Sequence, residues 1–367
     1  MDEPREPSNA AKAFARFRAD RAASGAALML VAVALFAFLG PFVAPLAYDK
    51  AYPAYVKAAP SFSAHPTAQE ANAALQGVAD RMHAKVEASS VDSSVVTATL
   101  SAARPIDPRL VAYFARSDAF LGATITATRD DGKTIDVEAH VKRVTLLAGA
   151  DANGRDLFSR MMIGARISFI VGALGTTVAL VIGVAYGAAA GYFGGRTDAL
   201  MMRFVDAMYA LPFIFFVILL VAFFGRRFEL IFLAIGAVEW LDMARLVRGQ
   251  TLSLKRREFV AAAEAMGVPP LTILARHIAP NLIGAVAAFL AVLAPRVILL
   301  ESFLSFLGLG VQEPLTSLGT LIADGAHNLE DAPWMALFPA ALLSMILFAF
   351  NALAGGLSDA LDPRGRP

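Results

Sequence analysis

The chain has no cysteine among its 367 residues, so disulfides, thiolate catalysis and cysteine-ligated metals are excluded. Histidine is scarce. His65, His83, His140, His277 and His327 show neither H-E-x-x-H nor any paired spacing, and no metal site is expected. No G-x-S-x-G nucleophile turn occurs, and no catalytic residue is assigned. Charge is also low. Asp, Glu, Lys and Arg make up 17% of the chain, and the net charge is +1. That leaves no basic surplus for nucleic acid, which is not expected as a partner. The one phosphate-loop candidate, Gly132-Lys133-Thr134, needs a glycine five residues before Gly132, where Ala127 stands.

Apolar sequence is what the chain has in plenty. Hydrophobic residues make up 57%, and the mean hydropathy of +0.59 is high for a soluble domain. Apolar runs occur at about Ala26–Leu46, Ile167–Ala190, Leu200–Phe224, Leu230–Val247, Leu282–Leu304 and Trp334–Leu357. Each approaches the length a helix needs to cross the roughly 30 Å of bilayer hydrocarbon. The first run follows Lys12, Arg16, Arg18 and Arg21 as a signal peptide would. Pro41 and Pro45 stand where a cleavage site would need small residues, so an uncleaved first span is expected. Six spans put both termini on one side. The first 25 residues carry five Lys/Arg, and residues 245–280 carry six. The opposite short loops carry Arg226 and Arg227, and none between Leu307 and Pro333. The positive-inside rule then makes both termini and the 251–281 loop cytoplasmic.

Within the second run, Gly175, Ala179, Gly183, Gly187 and Gly191 recur every four residues. Small residues at that spacing let helices approach closely in lipid, so a packing seam is expected. Charged residues inside the spans are costly and call for partners. Arg203 and Asp206, and again Asp242 and Arg245, stand i, i+3 and can pair within one helix. Arg296 and Glu301 lie in the fifth run, and together with Pro212 they are the candidate pathway or intramembrane residues. Pro212 and Pro295 break helical hydrogen bonding, which in a bundle marks a bend or a cavity.

Residues 47–148 differ in kind, being polar and charged. Thr67-Ala68-Gln69-Glu70 has the form of a capping box. Leu75, Val78, Met82 and Val86 then mark one apolar helix face. Thr124–Thr128 and Ile135–Val141 alternate around Asp130-Asp131-Gly132-Lys133, which predicts a hairpin. A small α+β module outside the membrane is expected, with a role at the outer mouth of the protein.

The stretch from Lys255 to Asn281, KRREFVAAAEAMGVPPLTILARHIAPN, lies between the fourth and fifth runs. Phe259, Ala262, Ala263 and Met266 share one helical face. Gly267 stands at a C-cap position, and Pro269 and Pro270 forbid continuation but allow a new helix. A second short helix is predicted over Leu271–Ala279, closed by Pro280 and Asn281. This elbow resembles the EAA loop of ABC-importer permeases, with the pattern Glu-Ala-Ala, three residues, Gly, nine residues, Ile-x-Leu-Pro. Ala262, Ala263, Gly267 and Pro280 match, whereas Ala261, His277 and Ala279 replace the Glu, Ile and Leu. GADANGRDLFSRMMIGARIS from Gly149, LSFLGLGVQEP from Leu304 and AFNALAGGLSDALDPR from Ala349 resemble stretches of the oligopeptide/dipeptide (OppC/DppC-like) permease family.

The resemblance implies an all-α integral membrane protein of type I ABC-importer permease fold, with six transmembrane helices and the α+β insertion between the first two. It implies a cytoplasmic segment 1–25, a first span 26–46, the inserted module 47–148, a permease core 149–358 containing the coupling loop 251–281, and a tail 359–367. The partners it implies are a second homologous permease, two ATP-binding-cassette ATPases, an extracytoplasmic solute-binding protein and membrane lipid. No cofactor is expected on this chain, since ATP and Mg belong to the ATPase subunits, and the chain itself is not expected to be an enzyme. Glu258, Phe259, Ala262, Ala263, Met266, Gly267 and Pro280 become the expected ATPase-coupling residues, with Glu258 standing in for the missing EAA glutamate. Short peptides are the substrate class implied, with nickel complexes, glutathione and antimicrobial peptides as relatives' alternatives. A membrane-anchored sensor or enzyme would need clustered acid, base or nucleophile residues in 47–148, and none are evident. A self-contained transporter would show inverted repeats, and no convincing one is found.

Overall fold

The computed structural model describes residues 15–92, 94–225 and 227–361. Lys12 with the rest of 1–14, Arg226, and the tail 362–367 with Arg364 lie outside the described residues. The chain divides into two compact units. One is drawn from Met1–Val43, Met161–Ala323 and Leu337–Pro367, the other from Ala44–Arg160 and Asp324–Ala336.

The first unit is helical. Its elements are α1 (Arg21–Phe38), α3 (Leu157–Phe193), α4 (Gly195–Tyr209), α5 (Phe213–Phe224), α6 (Phe228–Lys255), α7 (Glu258–Ala265), α8 (Pro270–Phe306), α9 (Leu318–Ala326) and α10 (Trp334–Leu361). By length and composition α1, α3, α8 and α10 can each cross a membrane. The third apolar run behaves differently from a straight span. It divides at Ala210–Pro212 into α4 and α5, bent by 78°, and counts as a fifth span only if the pair is taken together. Pro212 has no N–H to donate and stands outside both helices as the N-cap of α5. The fourth run forms the 28-residue α6, but Glu239, Asp242, Arg245 and Arg248 keep it from the apolar composition of a span. Asp20 caps α1 by accepting from the backbone of Ala22 and Ala23. At the other end of α1 the Arg166 guanidinium donates to the carbonyls of Ala37 (3.1 Å) and Phe38 (2.9 Å), where the helix dipole is negative.

The glycines of α3 meet neighbouring helices at close range. A Cβ on Gly175 would lie 2.9 Å from Val297 of α8, and one on Gly183 would lie 2.9 Å from the Trp240 carbonyl of α6. At Gly187 a Cβ would fall on the Ala244 carbonyl, and at Gly191 it would sit 2.8 Å from the Arg248 carbonyl. Ala179 is fully buried between them. A step of four residues overshoots the 3.6-residue turn by about 40°, so the seam winds around α3 from α8 toward α6.

The second unit holds α2 (Ala68–Arg81) and a four-stranded sheet. The strands are β1 (Lys85–Val91), β2 (Val95–Ser101), β3 (Phe120–Arg129) and β4 (Thr134–Val141), in the order β1-β2-β4-β3 with every neighbour antiparallel. Thr67 and Glu70 form the capping box of α2. Burial pushes the Glu70 carboxyl up, but bonds from the Thr67 backbone and from His65 outweigh it and hold the group below its ordinary range. Val86 does not continue the α2 face. His83 takes a left-handed conformation (φ 55°), α2 ends, and Val86 lies in β1. The β3–β4 turn places Asp130, Asp131 and Gly132 at successive positive φ values. Leu75, Val78, Leu100, Phe114, Phe120 and Ile135 form the core between α2 and the sheet.

This unit is larger than the polar interval 47–148. Its extension comes from the GADANGRD stretch and from 324–336. Lys57 pairs with Asp331 at 2.9 Å, and Gly149 lies so close to Trp334 and to the Ala58 carbonyl that a Cβ would approach both within 2.8 Å. Asp151 organises the stretch. One carboxylate oxygen accepts from the backbone of Asn153 (2.8 Å) and Arg155 (2.9 Å), and the other accepts from Arg155 Nε (2.8 Å) and from Arg160 Nη1. Asp156 then caps the start of α3 by accepting from the Ser159 backbone (2.9 Å) and hydroxyl (2.6 Å).

Asp151→Ala removes the carboxylate that the buried Arg155 and Arg160 guanidinium groups share, and its expected cost is about 3–5 kcal/mol. A lowered thermal midpoint of the purified protein is the readout, and an unchanged midpoint contradicts the assignment. Gly187→Ala is expected to destabilise by about 1–3 kcal/mol through overpacking. Gly249→Ala, where a Cβ meets nothing within 4 Å, is expected to be neutral or to stabilise. Thermal unfolding of the two variants side by side checks the ordering.

Candidate functional site

Two regions of the helical unit collect the candidate residues. The first is the elbow. Lys255 ends α6 rather than opening the elbow helix, and α7 begins at Glu258 after a break at Arg256–Arg257. The acidic Glu258 stands exposed in the first turn of α7, where the helix dipole favours it. At the far end Gly267 takes φ 74°, with its N–H on the Glu264 carbonyl (3.0 Å) and the Val268 N–H on the Ala263 carbonyl (3.1 Å). These are the paired bonds of a Schellman cap, and the left-handed residue they need is glycine. A Cβ at Gly267 meets nothing within 4 Å, so conformation, not space, selects it.

The apolar residues of α7 divide between two faces. Val260 and Ala263 are buried, whereas Phe259, Ala262 and Met266 are exposed. Ala263 therefore leaves the face it was expected to share, because its position lies on the side of Val260. Leu271 adds to the exposed patch, with Leu271 and Met266 each more than 70% exposed.

The second elbow helix does not stop at Pro280. Pro270–Ile273 continues through a π-helical turn, Leu274–Ile278, into Ala279–Phe306, and α8 is unbroken. Ile273, Ile278, Leu282 and Val286 are all buried, at spacings of five, four and four. An i→i+5 turn takes up the additional residue and keeps Ile273 and Ile278 on one side. Pro280 follows directly on the π turn, and the helix runs through it without a break.

Residues that the sequence reading passed over fix this elbow. Lys255 Nζ donates to the Tyr192 carbonyl (2.6 Å) and lies 5.0 Å from the centre of the Tyr192 ring. The Tyr192 hydroxyl reaches Glu264 at 3.2 Å. Arg248 grips Asp198 with two bonds, Nε at 2.5 Å and Nη2 at 2.7 Å. The end of α3 is thus tied to α6 and to α7, and the start of α4 to α6. Lys255 and Glu264 flank the exposed patch, but only the fold brings Tyr192 to them.

The second region is a chain of charges along α4, α6 and α8. Asp206 pairs with Arg245 at 2.7 Å, not with Arg203 on its own helix. Arg245 lies over the Tyr209 ring, 4.1 Å from its centre, and the Tyr209 hydroxyl bonds Asp242. Asp242 pairs with Arg296 Nη1 at 2.7 Å, not with Arg245. Arg296 Nε stands 3.4 Å from Glu239 Oε1. The pairs expected within helices are replaced by pairs between helices, because facing helices bring opposite charges closer than i, i+3 neighbours on one surface. Glu239, Arg296, Phe213 and Phe303 line a pocket of about 430 Å³, and Pro212 immediately precedes it in sequence. Glu301, by contrast, has no part in it. It is fully buried, accepting from the hydroxyls of Ser168 (2.9 Å) and Ser305 (2.7 Å), and Pro295 is buried inside the same helix. Among the described residues no group of three or more His, Asp or Glu could hold a metal ion.

A family model described as the binding-protein-dependent transport system inner membrane component matches residues 179–367. A second, the N-terminal TM domain of oligopeptide transport permease C, matches residues 8–60. The oligopeptide transport system permease protein OppC of Haemophilus influenzae is 55% identical over 218 residues, which are 59% of this chain and 70% of that protein. The dipeptide transport system permease protein DppC of Bacillus subtilis is 43% identical over 219 residues, 59% of this chain and 68% of that one. Among solved structures, the inward-facing methionine ABC transporter MetNI is 13% identical, with a TM-score of 0.44 over 53% of this chain and 94% of that one. With a family model over more than half its length and relatives at this identity, the chain belongs to the inner-membrane permease components of binding-protein-dependent transport systems, in the OppC/DppC branch.

Proposed function

We propose that the chain is the permease subunit of an ATP-binding-cassette importer of short peptides. It forms half of the translocation pathway, with the other half supplied by a second, homologous permease. Two ATPase subunits bind and hydrolyse ATP with Mg, and a solute-binding protein delivers the peptide from outside. In this reading α1, α3, the α4–α5 pair, α6, α8 and α10 are the six spans of a type I importer fold. Both termini and the elbow are cytoplasmic, and the sheet-bearing unit lies outside. The charges that keep α6 from an apolar composition are paired with α4 and α8, which supports counting α6 among the spans. The substrate class rests on the named relatives and on this chain's place in their family.

The observation that carries the coupling role is the elbow's combination of an exposed apolar patch with a rigid mounting. Phe259, Met266 and Leu271 face outward, while Tyr192, Lys255 and the Gly267 cap hold the helices beneath them. A short helix seated in a groove of an ATPase and fixed at both ends transmits the groove's motion as a lever. Glu258 and Ala262 complete the face, Ala263 locks it to the body of the protein, and Pro280 starts the stiff span beyond.

Gly267→Val forces a β-branched residue into a left-handed conformation, at about 1–3 kcal/mol. Uptake by the reconstituted importer is expected to fall by at least about tenfold, while Gly267→Asn, which tolerates that conformation, retains most of it. Equal uptake by the two variants rules out the cap as a coupling element. The orientation is checked with single cysteines at Ser90 and Ser253 in this cysteine-free chain. An impermeant maleimide added outside intact cells is expected to label position 90 and not position 253. Labelling of both from outside would refute the assignment of sides.

A further inference from the structure

We propose that the Glu239–Arg296 pocket is a subsite for the free amino terminus of a peptide in transit. The proposal rests on the peptide-permease reading and adds a residue-level contact to it. Glu239 is 2% exposed. Its Oε1 has a loose partner, Arg296 Nε at 3.4 Å, and its Oε2 is buried with no hydrogen-bond partner among the described residues. Arg296 is engaged more closely by Asp242, at 2.7 Å. Two carboxylates thus share one guanidinium, and Glu239 keeps an open acceptor at the pocket. A buried acceptor without a partner is expensive, and a cation placed there removes the cost.

The pocket's shape and lining select the cation. Phe213, Val238, Leu299, Leu300 and Phe303 make the rest of its wall. A hard metal ion needs several oxygen ligands, and such a wall does not supply them. An ammonium group on an apolar stem needs one carboxylate and a surface for the stem. A peptide's amino terminus has this form, with its first side chain lying on the aromatic wall. Depth agrees with a position in the pathway. Glu239 stands 16 residues before Lys255 in one continuous helix, about 24 Å along its axis from the elbow. The contact reads a group that almost every peptide shares, so it passes many sequences. Arg296 sets its strength by competing for Glu239 with the opposite sign.

The test compares uptake of tri-alanine and N-acetyl-tri-alanine by the complete importer in proteoliposomes, each peptide at a concentration that saturates the solute-binding protein. Wild type is expected to favour the free amine by about tenfold. Glu239→Gln keeps the side chain's shape and removes its charge, and is expected to bring the ratio of the two uptakes close to one. Arg296→Gln removes the competitor and is expected to raise the ratio above wild type. A wild-type ratio retained by Glu239→Gln, or a ratio that Arg296→Gln lowers, overturns the subsite. If Glu239→Gln does not assemble, the direction of the change in Arg296→Gln decides alone. Wild-type importer that takes up neither peptide fails the peptide-permease reading itself, an outcome distinct from uptake without amine preference.

Discussion

Backbone-to-backbone contact between α3 and α6 is the constraint on which the helical unit depends. At Gly183, Gly187 and Gly191 the carbonyls of Trp240, Ala244 and Arg248 lie directly on α3, with the Met243 and Thr251 side chains beside them. In lipid there is little hydrophobic drive to bring helices together, and close packing of this kind takes its place. The contact fixes the register of α6 against α3. That register puts Lys255 at the Tyr192 carbonyl and Arg248 at a distance to grip Asp198. The elbow is therefore positioned by a seam that lies wholly outside it.

The same register distributes charge. A carboxylate in an apolar bundle requires a partner, and α6 brings two carboxylates, Glu239 and Asp242, and one arginine, Arg245, to bear on its two neighbours. Asp206 and Asp242 find arginines on other helices, which pins α4 to α6 and α6 to α8. Glu301 is handled in a different way. Its hydroxyl partners are neutral and short, so it is held in place without a second charge. The two solutions separate a structural acid, saturated by serines, from an acid with an open acceptor at a pocket wall.

Much of this was legible in the sequence where the governing interaction is local. The Thr67–Glu70 capping box, the Asp130–Gly132 turn and the Gly267 cap are each set by residues within a few positions of one another, and each is found in the structure. Interactions across elements were not legible. The i, i+3 rule read Arg203–Asp206 and Asp242–Arg245 within helices, yet tertiary distance decided in favour of Arg245 and Arg296. β1 and β2 were both missed, β1 as an exposed edge strand without a burial pattern and β2 although Val96, Ala98 and Leu100 alternate as buried residues. The expected stop at Pro280 failed because the helix runs through the proline directly after the π turn. The five-residue gap from Ile273 to Ile278 was the available sign of the π turn.

The bend at Ala210–Pro212 makes the lipid a participant. At 1.5 Å per residue, α4 with its 15 residues and α5 with its 12 reach about 22 Å and 18 Å, and neither limb alone matches roughly 30 Å of hydrocarbon. Phe215, Leu219, Phe223 and Phe224 of the short limb are more than half exposed and belong in an apolar medium. A limb this short, placed in a bilayer, is met by lipid thinning, by tilt or by cover from another subunit, each at a small cost per ångström. Bilayer thickness becomes a control variable of the protein in its own right, and activity compared across vesicles of short-chain and long-chain lipids would register it.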